Sequence, residues 1–97
     1  MSQPPLPELR EALLDDDALG ALANDILALC QIQEVRVRRL GERRADAAPL
    51  ALPDALELLR SGGAAAVQVR YTHDRTVWID TLTRTATGTR LVRIAAP

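Results

Sequence analysis

Three consecutive segments in the last third of the chain alternate in hydrophobicity with the period of a β-strand: Ala66–His73, Val77–Thr85 and about Thr89–Ile94. In the first segment Val67, Val69 and Tyr71 share one side, so this strand has one wet face. The other two segments are apolar on both sides and therefore call for cover on both. Short polar turns separate the segments, which predicts a C-terminal three-stranded antiparallel meander.

Helical spacing of apolar residues dominates upstream. Leu6, Leu9, Leu13 and Leu14 predict a first helix, and the stripe from Leu19 to Cys30 predicts a second. One of the aspartates at 15–17 suits the N-cap of that second helix. A single long helix, kinked near the aspartates, is the alternative. A third helix is predicted from Pro53 to about Arg60, ended by Ser61-Gly62-Gly63.

One more strand is predicted from about Gln33 to Leu40, where Val35 and Val37 oppose Glu34, Arg36 and Arg38. The segment Gly41–Leu52 is expected to be a loop, and Met1–Pro7 a frayed tail. The sequence thus predicts one α+β domain over residues 8–97. Its order is ααβαβββ, with three helices packed on one face of a small, mainly antiparallel sheet.

Composition limits what this domain can be. At 97 residues, with no Phe, one Trp and one Tyr, it must build its core from small aliphatic side chains, so its stability is expected to be thin. The lone Cys30 excludes an intramolecular disulfide and is expected to be a structural thiol. No signal peptide or membrane-length apolar run is visible, which predicts a cytoplasmic protein without membrane contact.

All basic side chains are Arg, and the net charge is −1. Arg36, Arg38 and Arg70 are predicted to share the solvent face of the sheet as a basic patch. The patch suits an acidic protein partner or plain solvation. Nucleic acid is disfavoured by the net charge and by the lack of exposed aromatic residues for base stacking.

The residues with acid–base potential cluster near one turn: Tyr71, His73, Asp74 and Asp80. In a tight hairpin Tyr71 would lie opposite Trp78, and Val69 would face Asp80. The favoured interpretation is structural, with Asp80 paired to an arginine such as Arg70. No nucleophile or oxyanion device accompanies the cluster, and one His with one Cys makes a zinc site improbable. We therefore assign no catalytic residue, metal or cofactor.

The segment Trp78–Thr85, followed by Gly88 and Arg90–Ile94, resembles the closing hairpin of SnoaL-type proteins of the NTF2-like superfamily. The resemblance covers under a fifth of the chain. It implies a cone of helices on a strongly curved sheet, with a ligand pocket between them. None of the family's catalytic residues can be assigned to a position here.

The leading functional hypothesis is a non-catalytic accessory or interaction domain that forms a homodimer or docks on a larger partner. The alternatives are an NTF2-like binding or enzymatic domain and, third, a nucleic-acid-binding sheet. Three helices can cover only one side of the sheet, so the other side is predicted to be the docking surface. The two candidate sides are grouped by sequence parity: Val77, Ile79 and Leu91 on one, and Trp78, Leu82, Val92 and Ile94 on the other. Sheet curvature or the loop Gly41–Leu52 is the alternative cover.

Overall fold

The computed structural model describes residues 11–39 and 50–96. This part of the chain forms one five-stranded antiparallel sheet with strand order β1-β5-β4-β3-β2 and two helices. The class is α+β with the sheet dominant, and the predicted ααβαβββ order with three helices is wrong. The elements in chain order are β1 (Glu11–Leu14), α1 (Asp16–Leu29), β2 (Gln31–Arg38), α2 (Leu52–Ser61), β3 (Ala66–His73), β4 (Thr76–Thr85) and β5 (Gly88–Ala95).

The predicted first helix is replaced by strand β1. Leu13 pairs with Arg90 and Leu14 with Thr89, so this short segment forms the edge of the sheet beside β5. Ladder hydrogen bonds to a distant strand override the helical spacing of the leucines. Leu6 and Leu9, like the predicted tail Met1–Pro7, lie outside the described residues.

Helix α1 begins directly after β1 because Asp15 caps it. The Asp15 carboxylate accepts a hydrogen bond from the backbone N–H of Ala18 at 2.7 Å, which confirms the predicted aspartate cap. Leu19, Ala23 and Ile26 form its buried stripe. This face packs α1 against the sheet.

Helix α2 covers the same side of the sheet through Leu52, Ala55, Leu56 and Leu59. It ends, as predicted, at Gly62, whose φ of 87° is the left-handed conformation that glycine adopts without strain. The Arg84 side chain on β4 donates hydrogen bonds to the last carbonyls of α2, those of Leu59 and Arg60. Of the predicted loop Gly41–Leu52, residues 41–49 lie outside the described part, and Leu52 already belongs to α2.

The β3–β4 hairpin has the predicted register. Tyr71 lies opposite Trp78, and Val69 lies opposite Asp80. The two-residue turn consists of Asp74 and Arg75, both at positive φ (50° and 67°). Positive φ at both positions is typical of the two-residue turns whose backbone twist matches that of the flanking strands.

The register of the next hairpin defines the two faces of the sheet. Thr85 pairs with Gly88 across a two-residue turn, so odd-numbered residues of β4 lie opposite even-numbered residues of β5. The predicted grouping by sequence parity is therefore wrong. The covered face, which the helices pack on, carries Trp78, Asp80, Leu82, Leu91 and Arg93; the open face carries Val77, Ile79, Val92 and Ile94.

Candidate interaction surface

An apolar strip crosses the open face over β1, β5 and β4. It consists of Leu13, Val77, Ile79, Val92 and Ile94, and we call it the open-face strip. Leu13 is 60% exposed and Ile94 52%, whereas the other three are half-buried. Both described helices pack on the opposite face. Of the predicted partner-binding residues, Leu91 does not belong to this strip because it is buried in the core.

The other half of the open face, over β3 and β2, is polar and basic. The register places Arg36, Arg38 and Arg70 on this face, which joins them as the sequence predicts. Arg36 pairs with Glu34 at 2.9 Å, and Arg70 donates from Nε to the Gln33 amide oxygen at 3.3 Å. The open face is thus mainly apolar over β1, β5 and β4, where the exposed Glu11–Arg90 ion pair (3.0 Å) also lies, and positively charged over β3 and β2.

Replacing Arg36, Arg38 and Arg70 together with Gln is expected to change the free energy of unfolding by only about 0–1 kcal/mol per side chain, because exposed ion pairs contribute little. Urea unfolding followed by circular dichroism measures the effect. A loss well above about 3 kcal/mol would show that these arginines hold the sheet together. Loss of a bound partner at unchanged stability would instead assign them to docking.

A charged network is buried on the covered face. Asp80 accepts two hydrogen bonds from Arg93, from Nε and from Nη2, each at 2.8 Å. The Tyr71 hydroxyl lies 3.1 Å from both carboxylate oxygens and donates to them. All three side chains are buried, Tyr71 and Asp80 fully so. Because Arg70 lies on the open face, the expected Asp80–Arg70 pair does not form.

This network has a clear electrostatic effect on its members. Burial, and secondly the negative charge of Asp80, raise the pKa of the Tyr71 hydroxyl. Burial alone would lower the pKa of Arg93, but the hydrogen bonds and charge of Asp80 outweigh it, so the net change is upward. Tyr71 therefore stays a neutral donor and Arg93 a cation, which is the pairing that a buried carboxylate needs.

His73, the third predicted acid–base residue, interacts elsewhere. Its Nδ1 lies 3.4 Å from the carbonyl oxygen of Leu29, at the end of α1, and 3.7 Å from the sulfur of Cys30. Burial raises the pKa of the Cys30 thiol, and nearby Arg93 only partly opposes this. The raised pKa lowers the fraction of reactive thiolate at neutral pH.

Within this cluster, Asp80 is held inside the core by its hydrogen bonds to Arg93 and Tyr71. A general base must reach a substrate proton, but Asp80 is fully buried and its oxygens already accept hydrogen bonds. Within residues 11–39 and 50–96, no group of three or more His, Cys, Asp or Glu side chains is placed to hold a metal ion. Arg93, the residue that completes the network, was missed at the sequence level.

Comparison of the chain with protein-family models, with curated proteins and with solved structures finds no match. Function is therefore inferred from the geometry of this chain. Neither described helix has the length and apolar character needed to cross a membrane.

Proposed function

We propose that this chain is a small non-catalytic interaction module that forms a two-fold homodimer through the open face of its sheet. One observation carries the proposal: the open-face strip combines two largely exposed aliphatic side chains, Leu13 and Ile94, with three half-buried ones. Burying an aliphatic side chain fully contributes roughly 1.5–3 kcal/mol. The strip is therefore a source of association energy that the described helices leave unused.

A second copy is the occupant that the charge distribution favours. A two-fold axis running along β5 superimposes the apolar half of one open face on the same half of its partner. The basic residues Arg36, Arg38 and Arg70 of the two copies then lie on opposite sides of the dimer, where they do not repel each other. The interface then combines the open-face strip with the Glu11–Arg90 ion pair, which lies across β1 and β5 on the same half of the face.

The size of the strip sets the expected strength of the dimer. Strands β1, β5 and β4 have 4, 8 and 10 residues. At about 3.3 Å per residue and about 4.8 Å between strands, they give a contact zone smaller than the roughly 800 Å² per partner of a typical stable complex. We therefore expect reversible dimerisation at micromolar concentrations. The cytoplasmic location expected from the sequence, and a larger protein in place of the second copy, stay predictions.

The NTF2-like alternative needs a ligand pocket between the helices and the sheet. Between the helices and the sheet, the described residues form a packed core, in which Tyr71, Asp80 and Arg93 are buried along with the aliphatic side chains. The open face has the stronger support because its apolar residues are accessible. No observation favours nucleic acid over a protein partner.

Light scattering behind size exclusion tests the dimer. At tens of micromolar we expect a mass near twice the 10.6 kDa of the chain, falling toward the monomer mass on dilution. Ile94→Arg is expected to give a monomer at every concentration, because it places a charge in the strip. Leu27→Arg, at an exposed leucine of α1 on the other side of the molecule, is the matched control and should leave the dimer intact.

Two outcomes would overturn the proposal. One is a monomer of the unaltered chain across the whole concentration range. The other is dissociation by Leu27→Arg with no effect of Ile94→Arg, which would move the interface to the helices. Circular dichroism of each variant confirms that the fold is retained before the mass is interpreted.

A further inference from the structure

A second surface lies on the opposite side of the molecule, between the two helices. Here α1 and α2 leave a groove of about 220 Å³ on their outer side. Ala23 and Leu27 of α1 and Pro53 and Leu56 of α2 form its apolar lining. The volume is below the roughly 300–1,000 Å³ of small-molecule pockets, so the groove fits one or two anchoring side chains of a protein partner better than a separate ligand.

Gly20 of α1 is one of the residues that line the groove. A Cβ atom added at this position would meet nothing within 4 Å, so no close approach of the chain demands a glycine. The residue lies inside α1, where glycine destabilises the helix relative to alanine. Packing within the fold therefore does not require a glycine here, and a large side chain at this lining position would occupy space in the groove.

The charges around the groove favour a basic partner. Helices α1 and α2 together carry five acidic residues and one basic residue, Arg60. Glu57 and Arg60 both line the groove and form an ion pair at 3.1 Å, so the lining keeps a net charge of −1 from Asp16. Asp16, at the rim, makes no ion pair with the other described residues. This side of the molecule is therefore acidic, in contrast to the basic half of the open face.

We propose that the groove between α1 and α2 docks a basic amphipathic helix of a partner protein. An aliphatic side chain of that helix sits between Leu27 and Leu56, and its Arg or Lys side chains face Asp16. This is the groove mode of helix recognition, in which apolar anchors give affinity and flanking charges give orientation. The site is independent of the proposed dimer, because it lies on the other side of the sheet.

The probe is a fluorescein-labelled synthetic peptide of about 18 residues, long enough for about five helical turns. It carries Leu at helical spacing on one face and Arg on the other. A matched peptide has Glu in place of every Arg. We expect the basic peptide to bind with salt-dependent affinity and to shift the amide resonances of Gly20, Ala23 and Leu27. The acidic peptide should bind at least tenfold more weakly.

Gly20→Leu is the decisive variant, because it fills the groove without changing any charge. We expect at least a tenfold loss of affinity for the basic peptide with the helical circular dichroism signal retained. Asp16→Asn tests the charged rim separately and should weaken binding about threefold and reduce its salt dependence. Ile94→Arg, on the open face, should leave peptide binding unchanged even where it abolishes the dimer, so failure of the two proposals can be told apart.

The proposal is overturned if Gly20→Leu binds the basic peptide as tightly as the unaltered chain does. It is equally overturned if the shifted resonances map to the open face or if the acidic peptide binds as well as the basic one. Should Gly20→Leu fail to fold, Leu27→Arg replaces it. That variant lies at an exposed position in the same groove and should repel the basic peptide to a similar extent.

Discussion

Replacing Asp80 with Asn is expected to lower the free energy of unfolding by about 3–5 kcal/mol, the usual effect of removing one partner of a buried ion pair. Asp80 is fully buried and balances the charge of Arg93, which is itself 3% exposed. An amide keeps the shape of the side chain but removes the negative charge and presents an N–H donor to other donors. A loss of this size would use up much of the 5–15 kcal/mol that stabilises a small domain.

Urea unfolding followed by circular dichroism measures the change, and two variants calibrate it. Glu34→Gln removes one partner of an exposed pair, with Arg36, and should cost about 0–1 kcal/mol. Tyr71→Phe removes the hydroxyl that donates to Asp80. Its loss of unfolding free energy should lie between those of Glu34→Gln and Asp80→Asn, at about 1–3 kcal/mol. A cost below about 1 kcal/mol for Asp80→Asn would contradict a structural role for the network.

The β3–β4 hairpin could be predicted from the sequence, but the partner of Asp80 could not. Alternation places Asp80 on the same face as Val69 and Tyr71, and this face proves to be the covered one. The identity of the arginine depends on the register of β5 against β4. That register follows from the turn at 86–87, whose length the Thr-rich sequence around it does not define. With a two-residue turn, Asp80 must face Arg93.

Strand β1 shows the limit of local patterns. Leu13 and Leu14 continue the helical spacing that begins with Leu6 and Leu9, so the local pattern alone predicts a helix. Their actual partners, Arg90 and Thr89 of β5, lie at the other end of the chain, and no short-range period reports such a pairing. Helix α2, by contrast, was predictable because its proline start, apolar stripe and glycine end are all local signals.

The sequence indicates that one apolar face of the sheet lacks cover, but it does not show which residues form that face. Strands apolar on both sides indicate that part of the sheet needs further cover, and the exposed Leu13 and Ile94 agree with that. Which side chains share the face depends again on the β4–β5 register. That register places Leu91 in the core and not on the open face. The groove at Gly20 had no sequence signal beyond a glycine inside a helix, because it arises only from how two helices pack.

Replacing Gly88 with Ala is expected to lower the free energy of unfolding by about 2–4 kcal/mol, from backbone strain and steric overlap together. Gly88 begins β5 at a φ of 155°, a conformation that alanine rarely adopts. A Cβ atom there would lie 2.6 Å from the carbonyl oxygen of Leu14, in the backbone of β1. Relief of that overlap requires β1 to move away from β5. Urea unfolding gives the energy, and hydrogen exchange at Glu11–Leu14 shows whether β1 detaches.

Two other glycines separate the causes of this loss. Gly62→Ala introduces strain alone, because Gly62 also has positive φ but a Cβ atom there would meet nothing within 4 Å. Gly20→Ala introduces neither and should stabilise α1 by about 0.5–1 kcal/mol. The excess cost at Gly88 over Gly62 then measures how firmly the backbone of β1 is held against β5. Equal losses of unfolding free energy for Gly88→Ala and Gly62→Ala would mean that β1 separates easily from β5. Leu13 would then not be held in place in the open-face strip.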